Sequence, residues 1–232
     1  KINAVELGYR FIDKSTQYGK FAYLEEHFLK KLKINKNLSK FVMINSSDFF
    51  GNAKETKKKI DNVFFKKNET IIDGIRIAVN LNNYKKCKVL ANILSDYGFK
   101  ICLNLMQSSN KKKEIYKRVS SDIANWNSVD TLYFADSFGS MFPQDVYNLT
   151  KIFKKYFNNE IGAHLHNNKG FGLINSIYAA QAGIDWIDST ILGMGRGSGN
   201  VSTESLILEM KNLRQHDGDI LSIENILTDF EK

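Results

Sequence analysis

Two histidines, His164 and His166, stand two residues apart in the segment Ile161–Gly170, whose pattern predicts a short buried strand followed by a polar turn. Side chains alternate between the two faces of a strand, so both imidazoles are expected on one face. Neutral imidazoles bind divalent first-row metals well, and an added carboxylate would suit Mn, Fe, Zn or Mg with positions open to a substrate. Two hydrogen-bonded core histidines would show the same spacing, but the polar Asn167 and Asn168 that follow favour a metal site.

A glycine-rich loop, Gly193–Asn200, has glycine at every other position. Glycine allows positive φ and close backbone approach, which would help Asn200 to reach back toward a site. The loop fits neither the Gly-x-Gly-x-x-Gly nor the Gly-Lys-Ser/Thr nucleotide fingerprint, and a flexible connection or a phosphate cradle are its simpler interpretations. Asp136 is the local carboxylate that could complete a metal site, or it could instead orient a neighbour.

Short apolar runs alternate along the chain with longer segments of helical periodicity, which predicts repeated βα units. The predicted strands are Ala4–Arg10, Phe41–Asp48, Ile72–Val79, Lys100–Gln107, Thr131–Asp136, Glu160–Asn167 and Trp186–Ile191. The predicted helices are Asn52–Lys66, Tyr84–Tyr97, Lys111–Asn125, Pro143–Tyr156, Phe171–Ala182 and Thr203–Gln215. Such alternation implies an α/β fold with a parallel sheet, and the even spacing favours a TIM (β/α)8 barrel over a doubly wound sheet.

Seven predicted strands are one fewer than a closed (β/α)8 barrel requires. A barrel that lacks one strand exposes two unpaired edges and an open core. We therefore expect the first βα unit to precede Lys1 in a longer polypeptide, or another segment or chain to supply the strand. Residues 1–218 are interpreted as an N-terminally truncated catalytic barrel, and residues 219–232 as a separate C-terminal helix.

Composition limits the classes of protein that fit. With 232 residues, 43% of them hydrophobic, the chain can bury one sizeable core. The sequence has no apolar run of about 18 residues and no signal-peptide pattern. We therefore expect a cytoplasmic protein that does not associate with a membrane. Cys87 and Cys102 are predicted to be reduced core residues. The net charge of +8 is spread over separate lysine groups without interleaved aromatics, so nucleic acid is not an expected partner, although a basic surface could attract an anionic substrate.

Active sites of α/β barrels lie at the carboxyl ends of the strands. Most of the predicted strands, or the loops that follow them, carry polar residues near that end, which is the expected form of a catalytic mouth. The residues placed there are Glu6, Arg10, Asn45, Ser46, Asp48, Arg76, Asn104, Gln107, Asp136, Ser137, His164, His166, Arg196 and Asn200.

Several motifs resemble the aldolase/HMG-CoA lyase/isopropylmalate synthase superfamily of barrel metallolyases. The most specific are Asp136-Ser-Phe-Gly139, His164-Leu-His166, Gly170-x-Gly172-x-x-Asn175-Ser176, Asp188-Ser-Thr190 and Gly193-Met-Gly-Arg-Gly-Ser-Gly-Asn200-Val-Ser-Thr-Glu204. Val5–Arg10, Arg76–Val79 and Leu103–Gln107 resemble the branch of 4-hydroxy-2-oxovalerate aldolase-like proteins. The resemblance spans nearly the whole chain.

The resemblance implies a divalent metal (Mn, Mg or Zn) held by His164 and His166, with Asn200 nearby or ligating. It implies that a carbon–carbon bond is cleaved or formed through a pyruvate-like enolate, with a 2-oxo acid and an aldehyde as substrates. The residues to which we assign catalytic roles are Glu6, Arg10, Ser137 and Asp136. Those to which we assign substrate binding are Asn104, Ser137 and Arg196.

Two departures from the family pattern leave alternatives open. No Arg-Asp-Gly motif occurs, so the metal-binding Asp that the family carries on its first strand is absent, as the missing strand predicts. Asn167 and Asn168 are neutral where many relatives carry an acidic residue. An acyl-CoA condensing synthase of the same superfamily, or a non-catalytic barrel domain completed by a partner segment, are the alternative interpretations. A homo-oligomer is compatible with the sequence.

Overall fold

The computed structural model describes residues 2–214, with side chains up to Met210. Seven strands form one sheet in which the strand order follows the chain order. The strands are β1 (Ala4–Tyr9), β2 (Ser39–Asn45), β3 (Gly74–Asn80), β4 (Lys100–Met106), β5 (Thr131–Asp136), β6 (Glu160–Leu165) and β7 (Trp186–Ile187). The helices are α1 (Glu26–Leu29), α2 (Ser46–Phe49), α3 (Ala53–Asp61), α4 (Lys88–Asp96), α5 (Lys113–Ala124), α6 (Pro143–Tyr156), α7 (Gly172–Gln181) and α8 (Thr203–Arg214). The predicted βα alternation and the count of seven strands are confirmed for the described residues.

Two strands end three or more residues earlier than predicted. The strand predicted over Phe41–Asp48 ends at Asn45, and Ser46 begins the short helix α2. The strand predicted over Trp186–Ile191 consists only of Trp186–Ile187. Its backbone leaves the sheet because Thr190 instead donates its N–H to the Val201 carbonyl at 3.1 Å, and a 3-10 turn follows over Ile191–Gly193.

The chain divides into two compact units, of which the N-terminal unit comprises Ile2–Met106 and Asp122–Leu132. Its strands β1 to β4 pair in parallel, with Ile75 opposite Ile101. Buried parallel strands are expected to be continuously apolar, and Ile75 and Ile101 are fully buried. Cys87 and Cys102 are buried and form no disulfide, as predicted, and burial raises the pKa of the Cys87 thiol to about 12.

The C-terminal unit comprises Gln107–Ser121 and the residues from Tyr133 onward. The Phe153 ring of α6 packs edge-on against Phe134 of β5, with ring centroids 5.7 Å apart. Helix α6 has the predicted bounds, because Pro143 suits a first helical turn and Asp145 accepts the Phe142 N–H at 3.1 Å. In residues 2–214 no helix is long and apolar enough to span a membrane. The predicted helix over 219–232 lies outside the described residues.

Candidate functional site

The two histidines meet at the carboxyl end of β6. His164 lies within the strand, and His166 follows its last residue and forms a single antiparallel bridge with Asn200. The imidazole centroids are 5.0 Å apart and the ring planes are inclined at 73°. The structure therefore brings together His164, His166 and Asn200, the three residues predicted from the sequence to be metal ligands.

Asp188 orients one of the two rings. It follows β7 and lies 2.9 Å from His164, measured from Oδ2 to Nδ1. An ionised carboxylate can only accept a hydrogen bond, so in the neutral imidazole Nδ1 carries the proton and Nε2 keeps its lone pair for a ligand. The sequence analysis placed Asp188 in a motif but gave it no role. The sequence signal that could have identified Asp188 is its position directly after β7, the strand that pairs with the histidine strand β6.

Asn200 presents an oxygen without a partner. Its side-chain Nδ2 donates to the Met194 carbonyl at 2.9 Å, which fixes the orientation of the amide. Its Oδ1 is buried and accepts no hydrogen bond from any described residue. An unpaired buried carbonyl oxygen is costly, and a bound cation would satisfy it.

The glycines of the 193–200 loop are required by close backbone approach. Gly199 has φ of +83°, and a Cβ at this position would lie 2.0 Å from the Gly193 carbonyl oxygen. A Cβ on Gly195 would lie 2.4 Å from Asn200 Nδ2. The Gly199 carbonyl in turn accepts the Asn167 N–H at 2.9 Å, which ties the loop to the histidine segment.

Burial lowers the pKa of His166 below its ordinary value, and His164 and the positive charge of Arg196 act in the same direction. Asp136 opposes this shift. The neutral imidazole, which is the form that binds metal, is therefore favoured. Arg196, assigned to substrate binding, is exposed on the loop.

Both carboxylate oxygens of Asp136 accept hydrogen bonds from the turn that follows β5. The residue is fully buried; Oδ1 accepts the Ser140 N–H at 3.0 Å and Oδ2 the Met141 N–H at 2.9 Å. These hydrogen bonds hold the carboxylate in place, and the catalytic role assigned to Asp136 stays a prediction. Ser137 Oγ accepts the Gln107 N–H at 2.9 Å, which leaves the hydroxyl hydrogen available to donate.

The two neutral residues after the histidines have structural contacts of their own. Asn167 Oδ1 accepts the Gly172 N–H at 2.9 Å, where α7 begins. Asn168 packs against the turn after β5 so closely that a Cβ on Gly139 would lie 2.7 Å from its backbone nitrogen. These contacts tie both residues to neighbouring turns of the same unit.

Arg10 in the N-terminal unit is only 2% exposed. Its guanidinium donates to the Val63 carbonyl at 2.8 Å, forms an ion pair with Glu26 and lies 4.9 Å from the Phe64 ring centroid. This is the environment of an internal anchor, so any catalytic contribution of Arg10 would act through other residues.

Two further predicted residues belong to the same unit. Glu6 Oε2 lies 3.2 Å from Arg76 Nε, so the carboxylate is paired with a buried cation. Asn104 is 4% exposed, and its Oδ1 has no hydrogen-bond partner in the described part of the chain. Their roles in catalysis and substrate binding stay predictions.

The donor set fits a divalent cation in part. His164, His166 and Asn200 supply two imidazole nitrogens, which suit Zn and other first-row transition metals, and one amide oxygen, a ligand type that also suits Mn and Mg. Within residues 2–210 there is no cluster of three or more histidine, cysteine or acidic side chains that could hold a metal. Fold and site together define an α/β-barrel domain with a paired-histidine centre.

The chain belongs to the HMGL-like family, which matches residues 30–228. It is 44% identical over 84 residues to a 4-hydroxy-2-oxovalerate aldolase of Geobacillus genomosp. 3, covering 36% of this chain and 25% of that protein. It is 29% identical over 157 residues to the 4-hydroxy-2-oxovalerate aldolase of Thermus thermophilus, covering 67% and 43%. The chain thus spans less than half the length of these curated relatives.

A solved structure supports the fold. The N-terminal domain of a presumptive aldolase from Bacteroides vulgatus superposes with a TM-score of 0.85 at 32% identity, covering 99% of this chain and 74% of that one. Together with the sheet order, this match confirms the predicted α/β-barrel class.

Proposed function

We propose that this chain is the barrel domain of a divalent-metal-dependent aldolase that acts on a 2-oxo acid in the manner of 4-hydroxy-2-oxovalerate aldolases. The observation that carries the proposal is the partnerless buried Oδ1 of Asn200, held beside two imidazoles of which one is oriented by Asp188. The names of the curated relatives support the choice of reaction.

The ligands to the cation would be His164 Nε2, the His166 imidazole and Asn200 Oδ1. When bound, the cation supplies a Lewis acid that stabilises the negative charge developing on an enolate oxygen, worth several kcal/mol. The hydrogen bond to Asp188 holds His164 in one tautomer, and the lowered pKa of His166 keeps that ring neutral.

Two residues of the C-terminal unit, Ser137 and Arg196, would bind the substrate. The Ser137 hydroxyl, whose oxygen already accepts the Gln107 N–H, would donate its hydrogen to a substrate carboxylate. Arg196 contributes positive charge close enough to lower the pKa of His166, so an anionic substrate would be attracted to the same place. In the cleavage direction, the bond between C3 and C4 of 4-hydroxy-2-oxovalerate breaks, giving pyruvate and acetaldehyde.

The test is metal binding by the full-length polypeptide that contains this sequence, measured calorimetrically with Mn²⁺, Mg²⁺ and Zn²⁺. The double variant His164→Ala/His166→Ala should lose binding, whereas His27→Ala, an exposed histidine elsewhere, should keep it. Release of pyruvate from 4-hydroxy-2-oxovalerate should follow metal occupancy.

Two results would contradict the proposal. Absence of binding at saturating concentrations of all three metals would exclude the metal centre. Metal binding without pyruvate release would retain the centre and reject the aldolase reaction.

A further inference from the structure

A cavity lies in the C-terminal unit between α5 and α6. Its volume is about 660 Å³, within the usual range for small-molecule sites. None of its lining residues belongs to the paired-histidine centre. Five lysines line it, and they are Lys111, Lys113, Lys117, Lys151 and Lys155.

The residues that line this cavity carry a strongly positive net charge. Asp145 is the acidic residue of its lining, and one oxygen of that carboxylate already accepts the Phe142 N–H at the start of α6. Like charges gathered around a cavity repel one another and concentrate anions from solution. The cavity is therefore suited to a ligand with several negative charges.

The position of the lysines on α5 strengthens this argument. Lys111 and Lys112 precede this 12-residue helix and Lys113 is its first residue. The amino end of a helix carries partial positive charge, so cations there are unfavourable and anions are stabilised. Glu114 offsets only part of this charge. A bound anion would offset the remainder.

The buried part of the cavity lining, its floor, is largely apolar. Met141, Leu149 and Tyr116 line it and are 4%, 3% and 8% exposed. The Tyr116 hydroxyl donates to the Ser108 carbonyl and accepts the Lys111 N–H at 3.0 Å, so the ring is fixed in place. An aromatic and aliphatic floor under a charged wall suits a ligand that has an apolar part as well as phosphates.

We propose that the cavity between α5 and α6 binds an organic polyphosphate of nucleotide size. The phosphates lie on the lysines at the amino end of α5, and the non-phosphate part packs on the floor formed by Met141, Leu149 and Tyr116. This site is separate from the paired-histidine centre and does not depend on the aldolase proposal.

The first test is calorimetric titration of the full-length polypeptide with ATP in EDTA, where no metal bridges the phosphates. The variant Lys113→Ala/Lys117→Ala/Lys151→Ala should bind ATP at least tenfold more weakly, since the removal of even one charge-assisted hydrogen bond weakens binding by roughly a factor of ten. The control Lys30→Ala/Lys31→Ala/Lys36→Ala removes the same charge from exposed positions elsewhere and should bind ATP as the parent does.

The second test identifies the part of the ligand that the floor recognises. Inorganic triphosphate should bind more weakly than ATP, and Ile152→Glu, which places a carboxylate at the lining, should weaken ATP binding. Unaltered circular dichroism of every variant establishes that it is folded. Absence of ATP binding, or equal weakening in both lysine variants, would overturn the proposal. Tighter binding of an acidic peptide than of ATP would overturn it as well, and equal affinity for triphosphate would reject the role of the floor.

Discussion

Asp188 determines which nitrogen of His164 is available at the candidate site. Its Oδ2 lies 2.9 Å from Nδ1 of His164. The backbone N–H of Asp188 donates to the Ala163 carbonyl at 3.0 Å, which anchors the residue to the histidine strand β6. A carboxylate that holds a metal-binding imidazole raises the basicity of the ring and removes its rotational freedom. The same two effects should appear in metal affinity.

We predict that Asp188→Asn weakens Mn²⁺ binding about 10- to 100-fold, the usual effect of removing such a partner. Asp185→Asn is the matched control, because Asp185 stands three residues earlier and contacts Lys154 and the Ile161 N–H instead of a histidine. Calorimetry of both variants measures the difference. Equal affinities for the two variants would show that Asp188 does not orient a ligand.

The loop 193–200 shows how an element positions a single residue. Gly199 and Gly197 both have positive φ, at +83° and +63°, yet their surroundings differ. A Cβ on Gly199 would lie 2.0 Å from a backbone oxygen, whereas a Cβ on Gly197 would meet only the Asn168 amide at 3.4 Å. Only the first of these contacts forces the backbone beside Asn200 to move.

Gly199→Ala should therefore displace Asn200 and reduce metal affinity, whereas Gly197→Ala should show only the modest strain of a left-handed alanine, roughly 1 kcal/mol. Metal titration measures the first effect and urea unfolding the second. If both variants bound metal as the parent does, the glycine pattern would not be positioning Asn200.

In the N-terminal unit, the ion pair between Arg10 and Glu26 links the end of β1 to α1. The Arg10 guanidinium is almost fully buried, and Thr70 also donates its hydroxyl to Glu26 at 2.8 Å. We predict that Glu26→Gln lowers the free energy of unfolding by about 3 kcal/mol, since it leaves a buried cation uncompensated. Urea denaturation measures this change. Glu25→Gln, which removes an exposed pair with Lys14, should have little effect, and a similar destabilisation in both would contradict the anchoring role.

At the scale of the molecule, local pattern was enough to predict the βα alternation, the bounds of α6 and the pairing of His164 with His166. Local pattern did not predict the features that depend on pairing between segments distant in the sequence. The hydrogen bond from His164 to Asp188 depends on the register that sets Ala163 opposite Ile187, and no local signal encodes that register. The early end of β7 has a similar cause, because Thr190 pairs with a segment that comes later in the chain.

Metal binding should also be measurable as stability of the whole molecule. A ligand that binds only the folded state at 100 times its Kd stabilises that state by about 2.7 kcal/mol. For a domain of this size, that corresponds to a rise in Tm of roughly 5–10 °C. Thermal unfolding of the full-length polypeptide with saturating Mn²⁺ should show the rise, and EDTA should reverse it. His164→Ala/His166→Ala should abolish the rise and His27→Ala should retain it. A rise that persisted in the double variant would place the stabilising cation away from the paired histidines, because those imidazoles are its proposed nitrogen ligands.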